Sequence, residues 1–267
     1  MTSMEDITFR RGDKTVLPNI ISHLRGSAVC AGWVLNDLLN YPKQSDFRYS
    51  GEVGTNEFSY IHRSGHPSTR DHPTYMIDGA AERLCEVIPG FLSGTRWTIR
   101  ESPRHLADLV HERCGGAQVF YQQQMNLKAG ELTVVDSGEA RRLGLADRDQ
   151  LSAFTGIGNA PGLDRWIQHA IIVGVFHDGS LVSMGSTIYV LPEVSALVGI
   201  RTLPEFQGQG FGRKVTTKLA QLALERSANV TLTVRSDNDP ARRLYESMGF
   251  RGGEERFWAS LGHNGLP

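Results

Sequence analysis

The chain has 267 residues, of which 40% are hydrophobic, and its formal net charge is −1. This length suits one large domain or two of roughly 130 residues each. The near-zero charge excludes an overall field that would recruit nucleic acid or an anionic membrane, so any anion site must be local. The first residues lack the layout of a signal peptide, and no apolar run approaches the ~20 residues that span a bilayer. The sequence therefore predicts a cytoplasmic protein.

The three cysteines are Cys30, Cys85 and Cys114. Their number is odd, they are widely spaced, and no CxxC pair occurs among them. This usage predicts reduced, chemically inert thiols rather than disulfides or a metal site.

The first 130 residues have a weak pattern of mixed helix and strand. Apolar spacings of three to four predict helices between Val16 and Tyr41, and Pro42 ends that region. The remaining predictions are a loop-rich segment over 49–78, a helix over 80–87, a strand over 97–99, a helix over 102–114, and a strand over 117–121 that residues 122–124 continue as a sheet edge. Lys128-Ala129-Gly130 is the predicted boundary between an N-terminal domain, 1–130, and a C-terminal domain, 131–267.

The pattern beyond that boundary is clearer. Asp178-Gly179 is a hairpin turn signal between two strand-like runs. Asp239-Pro240 predicts an N-cap followed by proline, and Gly249 stands where a helix ends. The predicted order is a strand at 140–143, helices at 147–154 and 163–169, strands at 170–176 and 181–190, a strand from Leu197, a helix from Gly212, a strand at 230–234, the Asp239 helix and a strand at 257–261.

A glycine-dense turn joins the strand at Leu197 to the helix that follows. Glycines at 208, 210 and 212 allow close approach of the backbone to a ligand, and a helix N-terminus attracts phosphate. A dinucleotide fingerprint would need glycine at position 213, which is Arg213, and an ATP-type loop would need Gly-Lys-Ser/Thr. What remains is Gln207-x-x-Gly210-x-Gly212. Taken alone, this pattern also fits a strand-to-helix turn that binds nothing.

This turn resembles the pyrophosphate loop of the GNAT superfamily of acyl-coenzyme A transferases, whose signature is Gln/Arg-x-x-Gly-x-Gly/Ala. One helix and one strand later, Asn238-x-x-Ala241-Arg242-x-Leu244-Tyr245-x-x-x-Gly249-Phe250 is similar to the second coenzyme A motif of that family. The resemblance covers roughly residues 133–262. It implies an α/β (α+β) fold with a mixed, mostly antiparallel sheet flanked by helices.

The resemblance also implies roles for individual residues. Tyr245 would donate a proton to the departing thiolate, although a tyrosine at helical spacing beside Leu244 also fits simple packing. Gln207 would order the turn, and Asn238 would contact the pantetheine or order its own loop. The implied coenzyme-binding set is Ile200, Arg201, Thr202, Gln207, Gly208, Gln209, Gly210, Phe211, Gly212, Arg213, Asn238 and Tyr245. Arg213, Lys214, Lys218, Arg242 and Arg243 form a group of candidates for the outer phosphate.

A general base is missing from the expected place. Many members of the family carry a glutamate on the strand before the pyrophosphate loop, and the corresponding position here is Ala196. Glu193, Glu205 and His169 are weak candidates for the base, and a surface or structural role is the alternative for each. All three cysteines precede residue 115, which argues against a covalent cysteine intermediate.

The N-terminal half resembles the degenerate first half of tandem-GNAT proteins. Neither coenzyme motif occurs in it, so the resemblance implies that it helps to shape the acceptor pocket where the halves meet. His62, His66 and His72 with Asp71 match no metal-ligand spacing, and the adjacent prolines predict an exposed polar loop.

The function predicted is transfer of an acetyl or short acyl group from acyl-CoA directly to a primary amine of a small molecule, by an N-acetyltransferase that uses no metal. Neither nucleic acid nor membrane is a predicted partner, and a homo-oligomer is compatible with the sequence. The rival hypothesis is a catalytically idle acyl-CoA-binding or regulatory module, which the missing glutamate favours and Tyr245 opposes.

Overall fold

The computed structural model describes residues 8–69, 73–85, 87–92, 96–134, 136–158 and 162–262. The chain forms two compact units: the N-terminal unit comprises Met1–Gln123 with Glu254–Pro267, and the C-terminal unit comprises Gln124–Gly253. The dividing points fall within strands rather than at Lys128–Gly130. The predicted boundary stays a prediction, because compactness of the folded chain does not show which segment folds alone.

The N-terminal unit contains a six-stranded sheet and five helices among its described residues. Its sheet order is β1-β2-β3-β4-β5-β12; β4 and β5 run parallel and the other neighbours run antiparallel. The elements are β1 (Arg10–Arg11), α1 (Leu17–Gly26), α2 (Ala28–Asn40), β2 (Asp46–Ser50), β3 (Ser59–Arg63), β4 (Thr74–Asp78), α3 (Ala81–Leu84), α4 (Ile88–Phe91), β5 (Trp97–Pro103), α5 (Ala107–Arg113) and β12 (Arg251–Leu261).

Three strands lie where the sequence predicts a loop-rich segment. β2, β3 and β4 occupy much of residues 46–78, and β3 is buried at four of its five positions. The prediction was wrong because strands buried on both faces show no polar alternation, and the intervening glycines and prolines dominate the local signal.

A buried polar cluster fixes α2 against β3. The Asp37 carboxylate accepts from Ser64 Oγ at 2.6 Å and lies 3.0 Å from His62 Nε2, and both ionisable side chains are fully buried. His62 is therefore a core residue, whereas the sequence predicts an exposed loop. Buried polar groups of this kind are costly unless paired, so the three side chains depend on one another. Asp71 and His72 lie outside the described residues.

The C-terminal unit has the sheet order β6-β11-β10-β9-β8-β7. Its elements are β6 (Gln118–Lys128, which begins in the other unit), β7 (Arg141–Arg142), α6 (Arg148–Thr155), α7 (Leu163–His169), β8 (Ile172–His177), β9 (Ser180–Val190), β10 (Val194–Thr202), α8 (Phe211–Leu224), β11 (Asn229–Arg235) and α9 (Asp239–Ser247). β10 and β11 are parallel, and β7 to β10 form an antiparallel meander. This is the mixed, mostly antiparallel sheet that the resemblance predicts.

Helix α8 packs on the sheet through the apolar face that its spacing predicts. Val215, Leu219, Ala220 and Ala223 are all fully buried in the core of the C-terminal unit. The helix is amphipathic, so burial of this face fixes its rotation and directs its N-terminus.

Two local predictions need correction. Asn238, not Asp239, is the N-cap of α9: its Oδ1 accepts from the Ala241 N–H at 3.2 Å, and Asp239 and Pro240 form the first turn. β6 is not a sheet edge at Gln124, which is 3% exposed and donates to Thr231 Oγ1 at 3.2 Å. The N-cap was misplaced by one residue because Asn238 and Asp239 are both residues that commonly cap helices. The edge was predicted wrongly because consecutive glutamines in a strand are typical of exposed positions, and the sequence does not show that another strand covers them.

Candidate active site

The central feature of the C-terminal unit is a pair of parallel strands that separate. β10 and β11 pair from Val194–Asn229 to Ala196–Thr231, after which β10 continues to Thr202 and β11 to Arg235. Backbone groups beyond the last pair have no partner from the opposite strand. Such an opening presents N–H and C=O groups to an extended ligand that lies between the strands.

The far end of β10 is irregular as well as unpaired on that side. Its register with β9 shifts between Val198 and Arg201, and Gly199 at the shift has φ +61 and is exposed. A β-bulge turns backbone groups away from the ladder and re-aims side chains. The bulge therefore changes the direction of the backbone at Ile200, Arg201 and Thr202.

Side chains at this end of the strand are anchored within the unit. Thr202 Oγ1 lies 2.9 Å from the Ser183 Oγ of β9, and the Arg201 guanidinium bonds to the Phe154 carbonyl and stacks 4.6 Å from that ring. Ile200 packs against the core cluster beneath α8. Because the side chains are engaged, the backbone is the part of this segment that remains for a ligand.

A short 3-10 helix, Pro204–Phe206, leads from the end of β10 into the glycine turn. Gly208 and Gly210 have φ of +75 and +84, and both are exposed. The Gln207 amide donates to the Thr202 carbonyl at 3.2 Å, and Gln209 Nε2 donates to the Glu205 carbonyl at 3.2 Å. Both glutamines thus tie the turn back to the strand end. Alternation with left-handed glycines makes successive backbone N–H groups converge on one concave surface.

Backbone N–H groups without hydrogen-bond acceptors are concentrated in the glycine turn and the first turn of α8. Among the described residues, none accepts a hydrogen bond from the backbone N–H of residues 208–210. The first N–H groups of α8, at Phe211, Gly212 and Arg213, have no intrahelical acceptor because the helix begins there. A Cβ on Gly212 would lie 3.4 Å from Thr202 Oγ1, so the turn packs closely on the strand end. The arrangement favours an anion.

The Phe211 side chain is part of the hydrophobic core, so only its backbone is available to a ligand. The ring is 9% exposed, belongs to the core, and lies 6.2 Å from the rings of both His177 and Phe206. The sequence does not predict a role for His177 and Phe206, because nothing in their spacing connects the hairpin at 178–179 with the turn. Their rings support the turn from below.

Helix α9 carries Tyr245, whose side chain is 8% exposed and packs 5.8 Å from the Phe250 ring. Burial raises the pKa of Tyr245 to about 12, so its phenol stays protonated throughout the physiological range. A protonated phenol is the form that a proton donor needs. Asn238 holds the start of the same helix through the Ala241 N–H, as described above.

The basic group is unevenly paired. Lys214 Nζ lies 3.0 Å from the Glu139 carboxylate, and Arg242 bonds to Asp239 at 2.5 Å. Arg213 donates to the Ser247 hydroxyl of α9 at 2.7 Å, which leaves its charge uncompensated by that contact. Within the described part of the chain, Arg213, Lys218 and Arg243 form no ion pair with a carboxylate, in contrast to Lys214 and Arg242.

The candidate bases lie at separate places in the unit. Glu193 is half-buried at the start of β10, the end opposite Thr202, and its carbonyl accepts from Asn229 at 3.0 Å. Glu205 is exposed in the turn that follows Thr202. His169 is exposed at the end of α7, and its Nδ1 donates to the Arg165 carbonyl at 2.8 Å, which leaves Nε2 as an acceptor in the neutral ring. Ala196 is buried between Tyr189 and Thr231.

Two absences apply to the described residues only. No helix among them is both long and apolar enough to cross a membrane. They also bring no three histidine, cysteine or acidic side chains together as metal ligands.

Comparison with known proteins gives three kinds of similarity. Residues 172–259 match the family model of FR47-like proteins. A segment of 48 residues is 46% identical to the N-alpha-acetyltransferase RimI of Mycobacterium tuberculosis, covering 18% of this chain and 29% of that relative. The match therefore spans less than a third of the relative's length.

Solved structures resemble the chain over nearly all of its length. A protein of Drosophila aligns with a TM-score of 0.70 at 13% identity, covering 96% of this chain and 98% of its own. A tandem GNAT protein from the clavulanic acid biosynthesis pathway aligns with a TM-score of 0.56 at 12% identity, covering 98% and 100%. At these identities the likeness concerns the fold. Together with the two motifs and the family model matched over residues 172–259, it confirms the predicted resemblance to the GNAT superfamily.

Proposed function

We propose that this chain is an acyl-CoA-dependent N-acyltransferase that transfers an acetyl or short acyl group directly to a primary amine of a small molecule. The observation that carries the proposal is the continuity of three features: the open strand pair β10 and β11, the glycine turn, and the N-terminus of α8. Together they provide a slot for an extended arm and, at its end, an anion site. A pantetheine arm that ends in a pyrophosphate has that combination of shape and charge.

The proposed mechanism uses groups of this chain at two points. A backbone N–H at Ile200 to Thr202 polarises the thioester carbonyl, and one such donor is commonly worth ~2.7–4 kcal/mol of transition-state stabilisation. Tyr245 donates its proton as the thiolate leaves, and its raised pKa keeps that proton available. The amine attacks in its neutral form, and its proton passes to solvent or to a base.

Three residues are candidates for the general base, and they lie at different distances along the chain from the end of β10. Of the three candidates, Glu205 stands closest in the chain to the strand end, whereas Glu193 is at the opposite end of β10. Water can serve the same purpose for a weakly basic amine. The cation group that contains Arg213 and Arg243 is proposed to hold the outer phosphate of the coenzyme.

The test is a thiol-release assay with acetyl-CoA and longer acyl-CoA donors against a panel of amino acids, polyamines, aminoglycosides and peptides. Thiol release that depends on one amine, with the acylated amine identified by mass spectrometry, is the expected result. Tight coenzyme binding without release for any amine would instead favour the idle binding module.

A further inference from the structure

The N-terminal unit contains a cavity of about 410 Å³ that the acyl-transfer proposal does not use. It lies where the parallel strands β4 and β5 end, between Asp78 and Pro103, and residues of α1, α2 and β12 complete its wall. All of its lining residues belong to the N-terminal unit. The place corresponds in topology to the open end of β10 and β11.

One side of the cavity carries a buried cation. Arg256 is only 2% exposed, donates through Nη2 to Glu254 at 2.8 Å and through Nη1 to the Glu101 carbonyl at 3.3 Å. Among the described residues its Nε has no partner. A guanidinium has five N–H donors, so these contacts leave part of its hydrogen-bonding capacity unmet. The charge itself is paired with Glu254, but a buried N–H group without an acceptor is costly, so the guanidinium can still bind a further oxygen ligand.

The backbone beside Arg256 is held in a rare conformation. Glu101 has φ +48, which is unfavourable for a residue with a side chain, and its carbonyl is the one that accepts from Arg256. Backbone strain of this kind persists where the surrounding structure requires it. Here it places an acceptor for Arg256.

A carboxylate occupies another part of the wall. Asp78 is half-buried at the end of β4, and no side chain among the described residues donates a hydrogen bond to its carboxylate. Burial raises the pKa of this carboxyl, and the charge of Arg256 opposes that rise. Asp78 and Arg256 line the same cavity. Phe58 and Tyr60 are buried and line the same cavity, which adds aromatic surface beside the charged groups.

We propose that this cavity binds a small zwitterion of the α-amino-acid class, with its ammonium group on the Asp78 carboxylate and its carboxylate toward Arg256. Glu254 also lines the cavity and pairs with Arg256, so the carboxylate of the ligand accepts from the guanidinium N–H groups that this pair leaves free, while Asp78 receives the ammonium group. Coenzyme A is a poor match, because the described residues between β4 and β5 form the four-residue helices α3 and α4 where the C-terminal unit has a glycine turn and a long helix. The proposal stands independently of acyl transfer.

The first test needs only the unmodified full-length chain. Calorimetric titration with the twenty amino acids identifies the best ligand. Alanine carries both charges, whereas propionate carries only the carboxylate and ethylamine only the ammonium group, so comparing the three shows whether both charges contribute to binding. Saturable binding of an amino acid with one site per chain is expected, with propionate and ethylamine at least tenfold weaker than alanine. Absence of saturable binding by every amino acid, or equal binding of alanine and ethylamine, would overturn the proposal.

The second test locates the site. Asp78→Asn should weaken binding of the best amino acid at least tenfold and strengthen binding of propionate, because one negative charge leaves the wall. The control is Glu82→Gln, which neutralises an exposed carboxylate of the same unit and should change neither affinity. Urea unfolding checks that each variant folds. If Asp78→Asn does not fold, the titrations of the unmodified chain with alanine, propionate and ethylamine test the proposal by themselves. Unchanged affinity in folded Asp78→Asn, or displacement of the amino acid by free coenzyme A, would contradict the assignment.

Discussion

The two units share a topology but treat the end of their parallel strand pair differently. In the C-terminal unit, β10 and β11 separate and lead into a glycine turn and a 14-residue helix. In the N-terminal unit, β4 and β5 also separate after two paired positions, but Ser102 fills the gap: its Oγ accepts the Ile77 N–H at 3.0 Å and is fully buried. The same strand arrangement is thus open in one unit and internally satisfied in the other.

The comparison shows that this fold separates scaffold from site. The meander and the parallel pair occur in both units because they bury the same kind of apolar strand. Among the residues that the structure describes, the glycine turn and its N–H groups without acceptors are a feature of the C-terminal unit. Function in such a fold depends on the connection between two strands rather than on the sheet.

The largest expected effect is a loss of stability caused by a substitution in the buried polar cluster of the N-terminal unit. Asp37→Asn replaces one of the two carboxylate oxygens with an NH₂ group, so either Ser64 or His62 loses its buried hydrogen-bond acceptor. We expect the free energy of unfolding to fall by about 3 kcal/mol. Urea unfolding measures it. The matched control is Asp46→Asn, whose pairs with Arg11 and Arg48 are at the surface and should cost below about 1 kcal/mol. Equal losses in the two variants would show that the buried cluster is not structural.

The next effect concerns turnover in the C-terminal unit. Tyr245→Phe keeps the ring packed against Phe250 and removes only the proton donor, so we expect kcat to fall about 100-fold with coenzyme affinity nearly unchanged. Steady-state kinetics and a direct binding titration measure the two quantities. With a pKa of about 12, the donor stays protonated, so it should cause no alkaline loss of kcat between pH 7 and 10. An unchanged kcat would remove Tyr245 from the mechanism.

The same residue links stability to pH. Its folded-state pKa of about 12 lies above the ordinary value of 10, so the fold favours the neutral phenol. The stabilisation is complete below about pH 10 and is lost as pH rises toward about 12, an effect of about 2–3 kcal/mol. Urea unfolding at pH 9 and pH 11.5 should show a smaller decline for Tyr245→Phe than for the unmodified chain. Identical declines would mean that burial does not perturb this phenol.

The smallest effect tests the glycine turn itself. Gly210→Ala and Gly179→Ala both place a Cβ at positive φ with nothing within 4 Å, so both should lose a similar stability of about 1–2 kcal/mol. Only Gly210→Ala should also weaken coenzyme binding, by about tenfold, because its turn is the proposed pyrophosphate site. Calorimetric titration with coenzyme A compares them. Equal affinities would place the pyrophosphate elsewhere.

The local signals that predicted the C-terminal elements were turn residues and periodicity. Asp178-Gly179 forms the predicted hairpin with both residues at positive φ, and α7 has the predicted bounds Leu163–His169. These succeeded because the conformations depend on a few adjacent residues. Strands β2 to β4 were missed because their pairing partners lie far apart in the chain, and burial there removes the alternation that would reveal a strand.

The sequence alone determined the resemblance to the GNAT superfamily, the mixed sheet and the places of the two motifs, because glycine spacing, a capping asparagine and helical periodicity act locally. Only the tertiary structure decided that β10 and β11 separate after Ala196, that Ser102 closes the corresponding gap in the other unit, and that Arg256 and Asp78 share a cavity. Residues 78 and 256 meet through the closing strand of the N-terminal unit. No local pattern encodes a contact between segments so distant, since it depends on how the whole sheet is assembled.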